Sequence, residues 1–233
     1  MRRMALRLAV AAVVLLALSV PAFWPQYLSR PGESDAYTHF HAGLGLAWLL
    51  LLIGQPLLVR ARRLDLHRRI GRVGWLLGAA FAVSGVLVAH RGVARMDEAE
   101  LARDGFFLYM PLAQSALFAV ALALGIAWRS EPATHARYMA CTALPLLDPL
   151  LARLLHFYFP PLPAGFLYQL PAFFLTVGVL AVLSGSMPRS SRGRGGFRAF
   201  AAGTIVTLLL FFVTPYSAAW ATFVAWFRAL PVT

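Results

Sequence analysis

The chain of 233 residues is 60% hydrophobic and only 13% charged, against about a quarter charged in ordinary soluble domains, which excludes a soluble globular fold. Its net charge of +12 rests on 21 basic residues, all arginine. These punctuate long apolar stretches instead of lining one polar face, so no nucleic-acid partner is expected. The single cysteine, Cys141, excludes an intrachain disulfide and a thiolate metal centre.

A charge-free run of about 20 residues spans the hydrocarbon of a bilayer. Runs at 8–29, 36–59, 105–128 and 199–227 reach that length outright, and 73–90 reaches it with its flanks. The stretch 134–188 is too long for one span, and the prolines of FYFPPLPAG, residues 157–165, divide it. The chain therefore reads as all-α: one polytopic membrane helix bundle over 1–233. Seven transmembrane helices are predicted, at 7–27, 37–59, 71–93, 106–128, 135–157, 165–186 and 198–229, with helices two to five as a four-helix core. The last is over-long, and Pro215 predicts a kink or break in it. The first run, MRRMALRLAVAAVVLLALSVPA, also has the basic end, apolar core and small residue (Ala22) of a secretion signal. It continues through Phe23 and Trp24 without an A-x-A site, which favours a retained helix. Cleavage would leave six.

Loop charges alternate along this count. Arg2, Arg3 and Arg7, the arginine-rich RARRLDLHRRIGR at 60–72, Arg129, Arg137 and RSSRGRGGFR at 189–198 fall on one side. Glu33, Asp35, Asp97, Glu98, Glu100 and Asp104 fall on the other. The positive-inside rule then places the amino terminus and the arginine-rich loops in the cytoplasm, against anionic lipid headgroups, and the carboxyl terminus outside. No nucleotide-binding loop, G-x-S-x-G, H-E-x-x-H or cysteine pair is present. In the third helix Gly71, Gly78, Gly85 and Gly92 recur every seven residues with Gly74 beside them, a stripe that lets backbones approach closely.

The six histidines sort into two layers. His39, His41, His90 and His156 fall at the outer ends of helices, and His67 and His135 at the cytoplasmic face. At 3.6 residues per turn, His41 shares a face of helix two with Trp48, Leu52 and Gln55, whereas His39 points away. Asp148 lies about two turns inside the membrane between Pro145 and Pro149, where an acid marks a functional interior unless it is paired structurally. Its partner is expected on another helix, because Arg153 diverges from it around helix five. Gln114, mid-helix, reads as interhelical glue.

The segments THFHAGLGLAWLLLLIGQPLLVRARRLDLHRRIGRVGW and EPATHARYMACTALPLLDPLLARL resemble a widespread family of uncharacterised bacterial predicted membrane proteins over about residues 37–155. The shared features are His41, Gly54 with Gln55, Arg60, His67 with Arg68, Gly71 and Arg72, then His135 with Arg137 and Met139. The family usually has Arg directly after the second motif's His, whereas this chain has Ala136. The resemblance implies a bacterial inner-membrane protein and no particular activity. An H-x-R pair recurs at His67 with Arg69 and at His135 with Arg137, which places both histidines at the inner mouth of the core as a loop clamp.

Two functional expectations follow. The first is a haem- or metal-binding membrane protein of electron-transfer type, with an unidentified redox partner. His41, His90 and His156 would ligate haem b, and Arg91 and Arg153 would neutralise its propionates. In the alternative metal set, His39, His41, His90 and His156 with Asp148 would hold zinc or copper. The second expectation is a cofactor-free carrier of a small molecule or lipid, or a membrane assembly factor, with a polar cavity around Asp148. A hydrolase is weakest, because no nucleophile–base pair appears.

Overall fold

The computed structural model describes residues 2–159 and 169–233, and among these every regular element is helical. Helix α1 (Arg2–Phe23) passes into a π-helical turn at Trp24–Leu28, beginning three residues after Pro21. The other helices are α2 (Ala36–Arg60), α3 (Leu64–Ala94), α4 (Glu98–Asp104), α5 (Tyr109–Ala127), α6 (Pro132–Cys141), α7 (Leu144–Tyr158), α8 (Gln169–Gly185), α9 (Arg194–Leu210) and α10 (Ala218–Arg228). Among the described residues six segments are long and apolar enough to cross a bilayer: Arg3–Leu28, Ala36–Arg60, Leu64–Ala94, Glu98–Ala127, Pro132–Tyr158 and Arg194–Tyr216. Helix α8 is a shorter apolar helix. Most of the turn expected at 157–165, with the start of the helix expected at 165–186, lies outside the described residues. The protein is a multi-pass membrane helix bundle.

Two boundaries differ from the sequence reading, each for a local reason, and the break expected at Pro215 is found. Helix α3 begins at Leu64 instead of 71, so His67 stands on a helix. The turn before it is short because Arg62 adopts a left-handed backbone (φ 61°). The Arg63 N–H then reaches back to the Leu58 carbonyl at 2.9 Å, the wrap that normally closes a helix on glycine. The expected fifth helix is broken at Thr142–Ala143 into α6 and α7, with Pro145 in the first turn of α7. The expected last helix also breaks, through a 3₁₀ turn at Thr214–Tyr216 that contains Pro215. Ser217 then accepts the Trp220 N–H and starts α10.

Helix α10 does not continue a span. Val224 and Phe227 pack with Val93 of α3 and Leu108, beside Leu101 and Trp220, and Arg228 pairs with Glu98 at 2.6 Å. At this acidic end Asp35 caps α2 by accepting from the Thr38 N–H at 2.9 Å, and Asp97 with Glu100 forms a reciprocal capping box on α4. The loops rich in arginine cluster at the opposite end.

Small residues set the interior spacing. Trp48 is fully buried and meets Phe118 edge-on at 5.1 Å, in a core with Ala12, Leu52, Phe81 and Leu122. Helix α1 thus joins the core expected from helices two to five, and it packs along α2 and α7. A Cβ at Gly78 would lie 2.6 Å from Leu122 Cδ2 and 2.9 Å from Trp48 Cζ3, whereas one at Gly92 would meet nothing within 4 Å. The other face of α3 is exposed and apolar, with Leu76 at 76% and Val73 at 66%, as a lipid-facing surface requires. The Trp48 indole donates to Thr142 Oγ1 at 3.2 Å, and Thr142 in turn donates to the Met139 carbonyl at 2.6 Å. The break between α6 and α7 therefore leaves these groups satisfied in hydrocarbon. Gly78→Ala should destabilise the fold by about 1–3 kcal/mol through overpacking, and Gly92→Ala should leave stability unchanged. Reversible unfolding of both variants in mixed micelles measures the difference.

Candidate functional site

A polar cluster occupies the interior of the half nearer the acidic end. It is assembled from four helices. His41 of α2 bonds through Nδ1 to Ser84 Oγ of α3 at 2.8 Å. Ser84 spends its own proton on the Phe81 carbonyl at 2.8 Å, so Ser84 accepts from His41. The imidazole therefore carries its proton on Nδ1 and keeps a bare lone pair on Nε2. It also stacks on Phe81 with ring centroids 4.8 Å apart. Gly85, one residue past Ser84, makes room: a Cβ there would lie 2.7 Å from Ser115 Oγ of α5 and 3.5 Å from His41 Cε1.

Asp148 of α7 is buried at 6% exposure. The Gln114 amide of α5 hydrogen-bonds its carboxyl, and the Arg153 guanidinium is close enough to act on the charge of both Asp148 and His41. Arg153 Nη1 donates to the Pro149 carbonyl at 3.0 Å, and its guanidinium lies 4.8 Å over the Phe23 ring of α1. Its buried Nε has no hydrogen-bond partner among the described residues. The expected partner for Asp148 on another helix is thus Gln114. Arg153, expected to diverge, shares the same interior.

The outer histidines go separate ways. His39 Nδ1 meets the Tyr27 hydroxyl at 3.0 Å in an exposed position. His90 is 1% exposed, with Nδ1 2.7 Å from Thr233 Oγ1 and its ring against Phe227 at 5.0 Å. His156 is exposed beside Phe157. Among the described residues no three His, Cys, Asp or Glu side chains gather closely enough to hold a metal ion. The expected zinc or copper set of His39, His41, His90, His156 and Asp148 therefore does not gather among the described residues. Arg91, expected to face a propionate, sits 3.6 Å from Asp35, which also binds Arg95 at 3.0 Å. The Thr38 N–H, its hydroxyl and these arginines hold the Asp35 carboxyl below its usual range.

The arginine-rich end contains two further clusters. His67 and His135 stand with ring centroids 6.3 Å apart and planes at 87°, which brings the two inner motif histidines together. Gln55 of α2 lies beside them. Arg69 is exposed, whereas Arg137 is 5% exposed. Arg137 donates to the Ala133 carbonyl at 2.8 Å and to the Ser186 carbonyl beyond α8 at 2.6 Å.

Beside Arg137 is a clamp that the sequence did not reveal. Ser191 donates to Glu131, the Gly193 N–H donates to the same carboxylate at 3.1 Å, and Thr134 meets Ser191 at 3.0 Å. The Ser191 hydroxyl, with Thr134 and the Gly193 and Arg192 backbone, lowers the Glu131 pKa from its ordinary 4.5. Ser84 and Ser115 were also missed, since a serine on an apolar helix gives no signal of what faces it.

No protein-family model, curated protein or solved structure matches this chain.

Two outcomes follow. Removing one charge of a buried pair costs about 3–5 kcal/mol because the other is left uncompensated. Arg153→Met should therefore destabilise more than Arg153→Met with Asp148→Asn, and a double-mutant cycle in micelles reads that coupling directly. At the clamp, a lowered carboxyl pKa stabilises the fold above its ordinary 4.5 and loses that effect as pH falls through the folded value. Melting temperature should be flat above about pH 5 and fall below it. Glu131→Gln should shrink the acid-side fall without altering its neutral-pH slope.

Proposed function

We propose that this protein is a cofactor-free, membrane-embedded binder or carrier of a small polar molecule bearing an anionic group. The site comprises His41, Ser84, Gln114, Ser115, Asp148 and Arg153. One observation carries the reading: an imidazole, a carboxyl, a guanidinium and an amide from α2, α5 and α7 converge in an interior where each is costly to bury. Arg153 supplies a half-buried cation whose Nε is buried and unused among the described residues, and His41 supplies an Nε2 acceptor. Together they offer donors and an acceptor to one ligand, which suits recognition better than packing.

The resemblance of residues 37–155 to bacterial predicted membrane proteins supports an inner-membrane location. The arginine-rich end would face the cytoplasm and its anionic headgroups, and the ligand site would open towards the outer face. A haem or metal centre built on the outer histidines draws no support from the geometry, since His39, His41, His90 and His156 have different surroundings.

The test is small-molecule mass spectrometry of protein purified in nanodiscs. The wild-type protein should retain an anionic compound near stoichiometry. The Arg153→Met, Asp148→Asn double variant, which keeps the interior neutral, should retain at least about tenfold less, since one lost charge-assisted contact is worth about 1.5–3 kcal/mol. Identical extracts from the two proteins would overturn the reading.

A further inference from the structure

A second, independent site lies at the arginine-rich end. On α3, His67, Gly71, Gly74 and Gly78 follow one helical face, and the last two press on Leu51 and Trp48 of α2. His67 is thereby turned toward α2, whereas its neighbours Arg68, Arg69 and Arg72 are exposed. These arginines are solvated, and of the three only the Arg68 charge acts on the histidine.

Three polar atoms in this corner are fully buried without a hydrogen-bond partner among the described residues: His67 Nδ1, Gln55 Oε1 and Gln55 Nε2. Each is costly to bury bare. Across from them, His135 Nδ1 lies 2.7 Å from the Gly125 carbonyl. A carbonyl only accepts, so His135 must carry its proton on Nδ1 and present the Nε2 lone pair. Backing a ring N–H with a carbonyl is the arrangement that fixes the tautomer of metal-ligating histidines. The two rings stand 6.3 Å apart at 87°. Two Zn–N bonds of about 2.0–2.1 Å fit between rings at that spacing after small side-chain rotations.

We infer that His67, His135 and the Gln55 side-chain oxygen form a binding site for one imidazole-preferring transition-metal ion, Zn(II) or Cu(I). The donor set is two neutral nitrogens and one neutral oxygen, which suits zinc and copper over magnesium or calcium. Gly71 faces the same corner, since a Cβ there would lie 3.9 Å from Gln55 Oε1, an ordinary van der Waals contact. The site shares no residue with the polar cluster around Asp148, so either can fail without the other.

The experiment loads untagged, full-length protein in detergent with Zn(II), or with Cu(I) under ascorbate. The sample is then desalted, and retained metal is counted by mass spectrometry. The wild-type protein should retain about one equivalent of one of the two metals. His67→Gln, His135→Gln and Gln55→Leu should each weaken retention at least about tenfold, the scale of losing a ligand or its support. Arg68→Gln should not weaken it. Circular dichroism and gel filtration of the metal-free variants establish that each is folded. A wild-type protein that retains neither metal would mean that ordered water alone fills the corner, which overturns the inference. Retention that survives all three substitutions, or is lost instead on changing His41 and His90, would also overturn it.

Discussion

Hydrocarbon offers no water to a stranded polar group, and each unsatisfied one costs several kcal/mol. The interior of this bundle is organised around that constraint. Where α6 and α7 break, Thr142 takes up the Met139 carbonyl and receives the Trp48 indole. Where His41 enters the core, Ser84 accepts its proton and passes its own to Phe81. Among the described residues the buried side-chain atoms that escape this rule include Arg153 Nε, His90 Nε2 and Arg91 Nε in one half, and atoms of Gln55, His67, Arg137, Tyr138 and Arg194 in the other. Places where burial is costly and the cost is left unmet are where ligands are expected.

The two ends of the bundle are stabilised differently. At the acidic end, carboxylates cap helices and pair with arginines, as Asp35 does for α2, Arg91 and Arg95. Such half-exposed pairs contribute little individually, but they commit Arg91 to the fold. At the arginine-rich end the loops are tied across the chain. Glu131 gathers Ser191 and Gly193 ahead of α9, and Arg137 reaches the Ser186 carbonyl beyond α8. The second H-x-R motif is therefore divided in role: Arg137 joins loops, and His135 turns to the core.

Much of the architecture was legible because length and apolarity suffice to mark a membrane span. Helix α2 lies at Ala36–Arg60 against an expected 37–59. The prolines also announced their consequences, since Pro215 lies in the break before α10. The break between α6 and α7 was not legible, because Pro145 at the start of one helix and Pro145 inside a longer one read alike. Site residues with charge or an imidazole, such as His41, Asp148 and Arg153, stood out against an apolar background. Their partners Ser84 and Ser115 did not, because hydroxyls are frequent on membrane helices and periodicity does not say which helix faces which. Convergence was equally hidden. Four histidines near one membrane face looked like a shared centre, but His39 meets Tyr27, His90 meets Thr233, and His156 is exposed.

The central claim is that the polar cluster around Asp148 is a site that a water-soluble molecule enters from the acidic end. Cysteine labelling tests it most directly. Ser115→Cys would be placed in a Cys141→Ala background, with Gly32→Cys as a surface control, and exposed in membranes of known sidedness to a small charged thiol reagent. The account predicts that Ser115→Cys is labelled from the face that labels Gly32→Cys, and that a bulky reagent labels only the control. A Ser115→Cys thiol that stays unmodified by the small reagent while Gly32→Cys reacts would mean a dry, purely structural cluster, and would contradict it.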